Sequence, residues 1–243
     1  MKKLITILLL AAVPLLGHAA GPAIKLDKAH VDLRDQASLQ RGAQLFVNYC
    51  MGCHSIQYQR YNRMARDLGM TEDEVRENLM FNPDHRIGDT MTIAMPKEHA
   101  ERWFGTTPPD LSVITRARGS DWLYTFLRTF YVDESRPFGA NNAAFPDVGM
   151  PNVFWHYQGE QRATFGGSED NPVLESLTIV PGTGSMSSEK FDDAMRDLTA
   201  FLTYVGDPIK VERERLGIWV LLFIAFFTVL AYLLKKDYFK DVH

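Results

Sequence analysis

Cys50-Met51-Gly52-Cys53-His54 is the stretch on which the reading of this chain turns. Both cysteines of the 243-residue sequence fall inside it. Two cysteines three positions apart lie on one side of a helical turn, where each thiol can add to a vinyl group of one porphyrin. The histidine that follows brings an imidazole nitrogen under the iron. Behind an export signal, C-x-x-C-H reads as covalent c-type haem attachment. A thioredoxin-like redox pair is the competitor, and it requires a preceding strand and βαβ surroundings. The residues ahead of Cys50 have helical spacing instead: Leu39, Ala43, Phe46 or Val47, and Cys50, with Ser38 placed to cap. A disulfide across two residues would be strained. The cysteine count also excludes a disulfide-dense scaffold and a four-cysteine zinc site.

The export signal is residues 1–20. Met1-Lys2-Lys3 is basic, Leu4 to Leu16 is apolar, and Gly17-His18-Ala19-Ala20 has the small residues of a cleavage site. The apolar part is too short to span a bilayer. A second apolar run, Leu216 to Leu234, has 19 residues without a charge. As a helix it covers about 28 Å, close to the hydrocarbon thickness. Arg213 and Arg215 bound it on one side, Lys235 and Lys236 on the other. Trp219 and the group Tyr232, Tyr238 and Phe239 stand where interfacial aromatics belong. The expected layout is a signal over 1–20, a periplasmic haem domain over 21–212, one transmembrane anchor over 213–236 and a cytoplasmic tail over 237–243. That orientation follows from the signal and implies a bacterial inner membrane.

Between the two apolar ends, residues 21–215 hold 77 apolar side chains in 195 positions, 21 Lys and Arg, and 28 Asp and Glu, a net charge of −7. The mean hydropathy of −0.17 therefore averages two apolar ends with a lean, acidic domain. A bound apolar cofactor would supply core that the side chains lack. The negative charge disfavours nucleic acid and favours a basic partner.

One C-x-x-C-H motif implies one haem, and its iron needs a second axial ligand. His30, His85, His99, His156 and the internal methionines are the candidates. Met150 lies in Phe145-Pro146-Asp147-Val148-Gly149-Met150-Pro151-Asn152, a loop stiffened by proline. Met150 stands out by this context, and Met95-Pro96 offers a similar but poorer one. Local chemistry does not choose firmly between them. Met/His ligation would raise the reduction potential and suit electron transfer.

Over nearly the whole mature chain the sequence resembles the cytochrome c1 family, the haem subunits of the cytochrome bc1 complex. Arg41-Gly42 through Ser55 resembles the attachment helix. Pro108-Pro109-Asp110-Leu111-Ser112, followed by Arg116-Ala117-Arg118, resembles the family's internal signature, and Phe145-Pro146 through Met150-Pro151 its ligand loop. The resemblance implies haem c attached at Cys50 and Cys53, with His54 and Met150 as axial ligands. It implies Pro109 and Ile114 in the pocket wall, and Arg118 near a propionate. Trp122 falls where many relatives carry Tyr. The implied function is electron transfer from the Rieske iron–sulfur protein to a soluble or membrane-bound cytochrome c, beside cytochrome b, with no bond chemistry on this chain itself.

The expected fold is mainly α: a cytochrome c-like haem domain with long irregular loops, plus one C-terminal transmembrane helix. An extended arm is predicted over 21–37 and an attachment helix with its continuation over 38–65. Thr71 to Glu74 has the capping-box pattern for a helix ending near Met80. Residues 121–131 read as a helix with Trp122, Phe126 and Phe130 on one face. Residues 132–185 read as irregular, with a hairpin near 155–180. A helix from Ser187 or Ser188 carries the stripe Phe191, Met195, Leu198, Leu202, Val205 and ends at Gly206-Asp207-Pro208. From Asp67 to Asp110 there are ten acids against four bases, either a solvated face or a docking field for a basic cytochrome c.

Overall fold

The computed structural model describes residues 24–168 and 171–240. The predicted signal and the last three residues of the tail lie outside them. Helix α1 (Gln36–Leu45) starts two residues earlier than the spacing predicts. Its cap is Asp35, whose carboxylate accepts from the Ser38 backbone N–H at 3.0 Å. Ser38 is turned inward instead, and its hydroxyl donates to Asp197 at 2.6 Å. A π-helical turn (Phe46–Cys50) continues α1 and delivers Cys50.

The predicted continuation to residue 65 is not one helix. Strand β1 (Ile56–Arg60) interrupts it, pairing antiparallel with β2 (Thr90–Met91), and only then does α2 (Tyr61–Asp67) begin. The reason is where the backbone donors go. The N–H groups of Cys53 and His54 both fold back on the Cys50 carbonyl. Those of Gln57 and Tyr58 are taken by the side chains of Asp110 and Ser112. With the Gln57 and Tyr58 donors taken by side chains, no N–H is left there to bond the i−4 carbonyls and propagate the helix.

Helix α3 (Glu72–Leu79) has the predicted capping box, Thr71 and Glu74 bonding reciprocally. Helices α4 (Lys97–Phe104), α5 (Ile114–Arg118) and α6 (Ser120–Arg128) follow. Helix α6 ends short of Tyr131, because Phe130 enters β3 (Phe130–Val132), which pairs with β4 (Ala140–Asn142). The aromatic face survives across this break: Trp122 stacks on Phe126 at 5.1 Å, and Phe126 meets Phe130 edge-on at 5.1 Å. The short α7 (Trp155–Gln158) precedes the hairpin of β5 (Gln161–Ser168) and β6 (Asn171–Ile179), where the sequence predicts one.

Helix α8 (Ser188–Gly206) is capped by Ser187 and buries its whole predicted stripe. It crosses α1. Phe46 meets Phe201 at 5.8 Å, and Arg41 bonds Asp197 at 2.6 Å beside the Ser38 contact. The N-terminal arm lies on α6, with Asp27 N–H on the Thr125 hydroxyl and Lys28 and Ala29 both bonded to Asp121. Three residues after α8, helix α9 (Lys210–Tyr238) begins, and an ion pair from Arg213 to Asp207 ties the joint. Its 29 residues contain an 18-residue window of mean hydropathy 2.5, none of it buried. It is the one helix among the described residues long and apolar enough to cross a membrane.

Candidate functional site

His54 follows a turn in which its own N–H bonds the Cys50 carbonyl at 2.8 Å. The imidazole is buried, and Nδ1 lies 2.7 Å from the carbonyl oxygen of Pro109. A carbonyl only accepts, so Nδ1 carries the proton and Nε2 keeps its lone pair. Burial pulls the imidazole pKa down, against the raising effect of the Pro109 bond. The neutral ring with a free Nε2 is the form that ligates a metal, and the carbonyl behind it sets the ring's orientation.

The Pro108–Ser112 segment is stitched to the residues that follow His54. The Leu111 N–H donates to the Ser55 carbonyl at 2.8 Å. The Asp110 carboxylate accepts from the N–H groups of Gln57 and Ser112, both at 2.9 Å. The Ser112 hydroxyl accepts from Tyr58 N–H at 3.2 Å, and the Ser55 hydroxyl from Ile93 N–H at 3.0 Å. Two consecutive prolines bring no N–H to be satisfied.

Both cysteines are free thiols. Burial pushes Cys50 up to about 12 and also raises Cys53, which is partly exposed. A thiol–disulfide centre needs the opposite, a depressed pKa that yields thiolate. A π-helical turn precedes the pair where a redox motif would have a strand. The thioredoxin-like alternative therefore has neither the electrostatics nor the surroundings.

Met150 is half-buried and packs on the core. Its loop is bonded from the β3–β4 hairpin. Asn142 Oδ1 accepts from Ala144 and Phe145 N–H, and Asn141 Oδ1 from Asp147 N–H at 2.9 Å. Arg136 holds Asp147 through both its carboxylate and its carbonyl. On the other side, a β-carbon on Gly149 would come within 3.1 Å of Thr106, so the loop lies against the chain just ahead of Pro109. The sequence reading missed Arg136, Asn141 and Asn142. The Asn-Asn pair before a proline-containing loop was the available signal, since Asx side chains bond backbone N–H groups two or three residues on.

The other proposed ligands sit against aromatic groups. His85 Nδ1 is 3.3 Å from the Tyr61 hydroxyl, His99 packs on Trp103, and His156 on Tyr157. His30 takes a left-handed backbone, with φ at 49°. Met95 is partly exposed and is not among the described residues packed on the core.

Pro109 is exposed, while Ile114 opens α5 and is half-buried on the core. Arg118 is exposed, its guanidinium 5.0 Å from the centroid of Trp122 and 5.7 Å from that of Phe145. It makes none of the ion pairs found among the described residues. Those residues contain no cluster of three His, Cys, Asp or Glu able to cage a metal. The donor set is instead one oriented imidazole, a thiol directly before it and a second one turn further back, the partly buried apolar side chains of Ile114 and Met150, and an arginine without a carboxylate. These fit an iron held by a porphyrin with acidic side arms.

Comparison with known proteins agrees. The family described as Cytochrome C1 matches residues 28–242. Cytochrome c1 of Allochromatium vinosum is 52% identical over 248 aligned residues, covering all of both chains. A Nitrosomonas europaea protein named ammonia monooxygenase gamma subunit is 46% identical, over 99% of this chain and all of that one. Mitochondrial cytochrome c1 of Saccharomyces cerevisiae is 29% identical, over 83% of this chain and 66% of its own.

Proposed function

This chain belongs to the cytochrome C1 family, and from that membership we propose how its residues perform electron transfer. It is a c-type haem protein and an electron-transfer subunit of the cytochrome bc1 complex, with a haem domain and a single membrane anchor. Cys50 and Cys53 would hold one haem c, each through a thioether bond. His54 would give Nε2, and Met150 its thioether sulfur, to the haem iron. When bound, the haem supplies the one-electron couple, and this chain does no bond chemistry on a substrate.

The protein's contribution is orientation and electrostatics. The Pro109 carbonyl fixes the His54 tautomer and leans electron density onto the ring. Pro109 and Ile114 present apolar surface to the porphyrin. Arg118, held between Trp122 and Phe145, offers a charge-assisted hydrogen bond to a propionate. A His/Met donor pair would raise the potential, which suits passing an electron onward.

The electron arrives from the Rieske iron–sulfur protein beside cytochrome b and leaves to a soluble or membrane-bound cytochrome c. The acidic stretch 67–110 provides a field for a basic acceptor. The haem domain faces the periplasm and α9 crosses the bacterial inner membrane, with the tail on the cytoplasmic side. The short joint at Asp207–Ile209 keeps the domain close to the bilayer.

The observation that carries this reading is the 2.7 Å contact of His54 Nδ1 with Pro109 O, directly after two free thiols in C-x-x-C-H spacing. Purification from the native membrane tests it. The expected result is a c-type α-band on reduction, in a complex with a cytochrome b and a Rieske protein. A colourless protein with two titratable thiols would overturn it, and a coloured protein purifying alone would overturn the partner assignment.

A further inference from the structure

We propose that Arg136 is a positioning residue for Met150, acting through Asp147 to hold the thioether at the iron. The proposal rests on Met150 as axial ligand, the assignment made above.

The turn that joins β3 to β4 carries Arg136, and the strand after it carries Asn141 and Asn142. These three side chains grip the ligand loop at successive points. Asn142 is fully buried and anchored to α6, its Nδ2 donating to the Phe126 carbonyl at 2.7 Å. Its Oδ1 takes the N–H groups of Ala144 and Phe145 at 2.9 and 3.1 Å. Asn141 takes the N–H of Asp147. Arg136 completes the grip, with Nη1 2.9 Å from the Asp147 carboxylate and Nη2 3.0 Å from its carbonyl oxygen.

Asp147 is where the loop turns. Its φ is +61°, in the left-handed region that L-residues other than Asn and Asp rarely adopt. Holding the N–H, the carbonyl and the side chain of one residue together pins both peptide planes around that unusual dihedral. Only Val148 and Gly149 separate it from Met150. Val148 is buried and Gly149 is pressed on Thr106, so little slack remains between clamp and sulfur. The Arg136 Nε is also the one buried side-chain polar atom without a partner among the described residues.

A merely structural ion pair would matter only to stability. A positioning clamp governs how readily another ligand displaces the thioether. The test uses the haem-loaded full chain in its membrane complex. It reads imidazole affinity of the ferric protein, the thioether-to-ferric-iron charge-transfer absorption, haem content and melting temperature. Arg136→Gln is expected to bind imidazole about tenfold more tightly and to weaken the absorption, at unchanged haem content. Asp147→Asn keeps an acceptor oxygen and tolerates the left-handed backbone, so it stays near wild type. Asp147→Gly removes the carboxylate without straining the turn and is expected to gain about threefold. It decides the matter if Arg136→Gln fails to accumulate. Met150→Leu is the reference, expected to lose the absorption entirely. If it does so while Arg136→Gln and Asp147→Gly bind imidazole as wild type does, the clamp is overturned and the ligand assignment stands. If Met150→Leu keeps the absorption, the ligand assignment fails and the clamp with it.

Discussion

A β-carbon on Gly42 would stand 2.1 Å from the carbonyl oxygen of Asp197. The two helices that bracket the haem domain, α1 and α8, thus touch backbone to backbone at a residue with no side chain. The same crossing is closed by the Arg41 and Ser38 bonds to Asp197 and by the Phe46–Phe201 contact. Gly42→Ala must push the helices apart against this packing. The expected loss is about 3 kcal/mol, the upper end of overpacking penalties, read as a lower denaturant midpoint. Because α1 leads into Cys50, the variant is also expected to accumulate less haem-loaded protein.

Asp110 is the knot between the two segments that orient His54. Asp110→Ala leaves the Gln57 and Ser112 N–H groups without their acceptor. A loss of about 1–2 kcal/mol is expected, together with a changed reduction potential as the Pro109 carbonyl loses its fixed place behind the imidazole. Asp110→Asn keeps one acceptor oxygen and should recover about half of the stability. Equal behaviour of the two variants would argue that these bonds do not matter.

Asp121 gives the arm a pH dependence of definite sign. The Lys28 ammonium, 2.8 Å away, holds its carboxyl below the usual range, helped by the Ala29 N–H at 3.0 Å. A carboxyl depressed in the folded state contributes stability above its unfolded pKa, about 3.9, and loses it as pH falls through the folded value. Lys28 is mostly exposed, so the effect is small. Asp121→Asn is expected to be about 0.5 kcal/mol less stable than wild type at pH 7 and to become indistinguishable from it once the pH has fallen below the depressed folded value. Urea melts at pH 7 and in acid check this.

The acidic stretch makes a kinetic prediction. Among its four bases, Arg76 is already paired with Glu72 and Asp73, so acids remain in excess. The bimolecular rate of electron transfer to a basic cytochrome c is expected to fall as ionic strength rises from about 0.01 to 0.15 M, where the Debye length drops from about 30 to 8 Å. A rate flat across that range would leave these acids as a solvated surface.

What the amino-acid order determined by itself was chemistry within one or two turns of chain. The C-x-x-C-H spacing, the Thr71–Glu74 capping box, the stripe on α8 and the apolar run of α9 all depend on residues at most a few positions apart, or on composition alone. Their energies are local and were legible before any fold was known. The ligand loop was legible as a stiff loop, and only resemblance settled on Met150 over Met95. Tertiary structure decided the rest. The Pro109 carbonyl behind His54 is 55 residues away, the Asp197 backbone against Gly42 is 155 away, and the arginine that grips Asp147 sits on a hairpin turn that no periodicity announces. The break of the attachment helix at β1 belongs here too, since its cause is a pair of side chains, Asp110 and Ser112, that claim the backbone donors from a distant segment. Such contacts carry no sequence signature because either partner alone is an ordinary residue or an ordinary backbone group. Only their meeting in the folded chain gives each its effect.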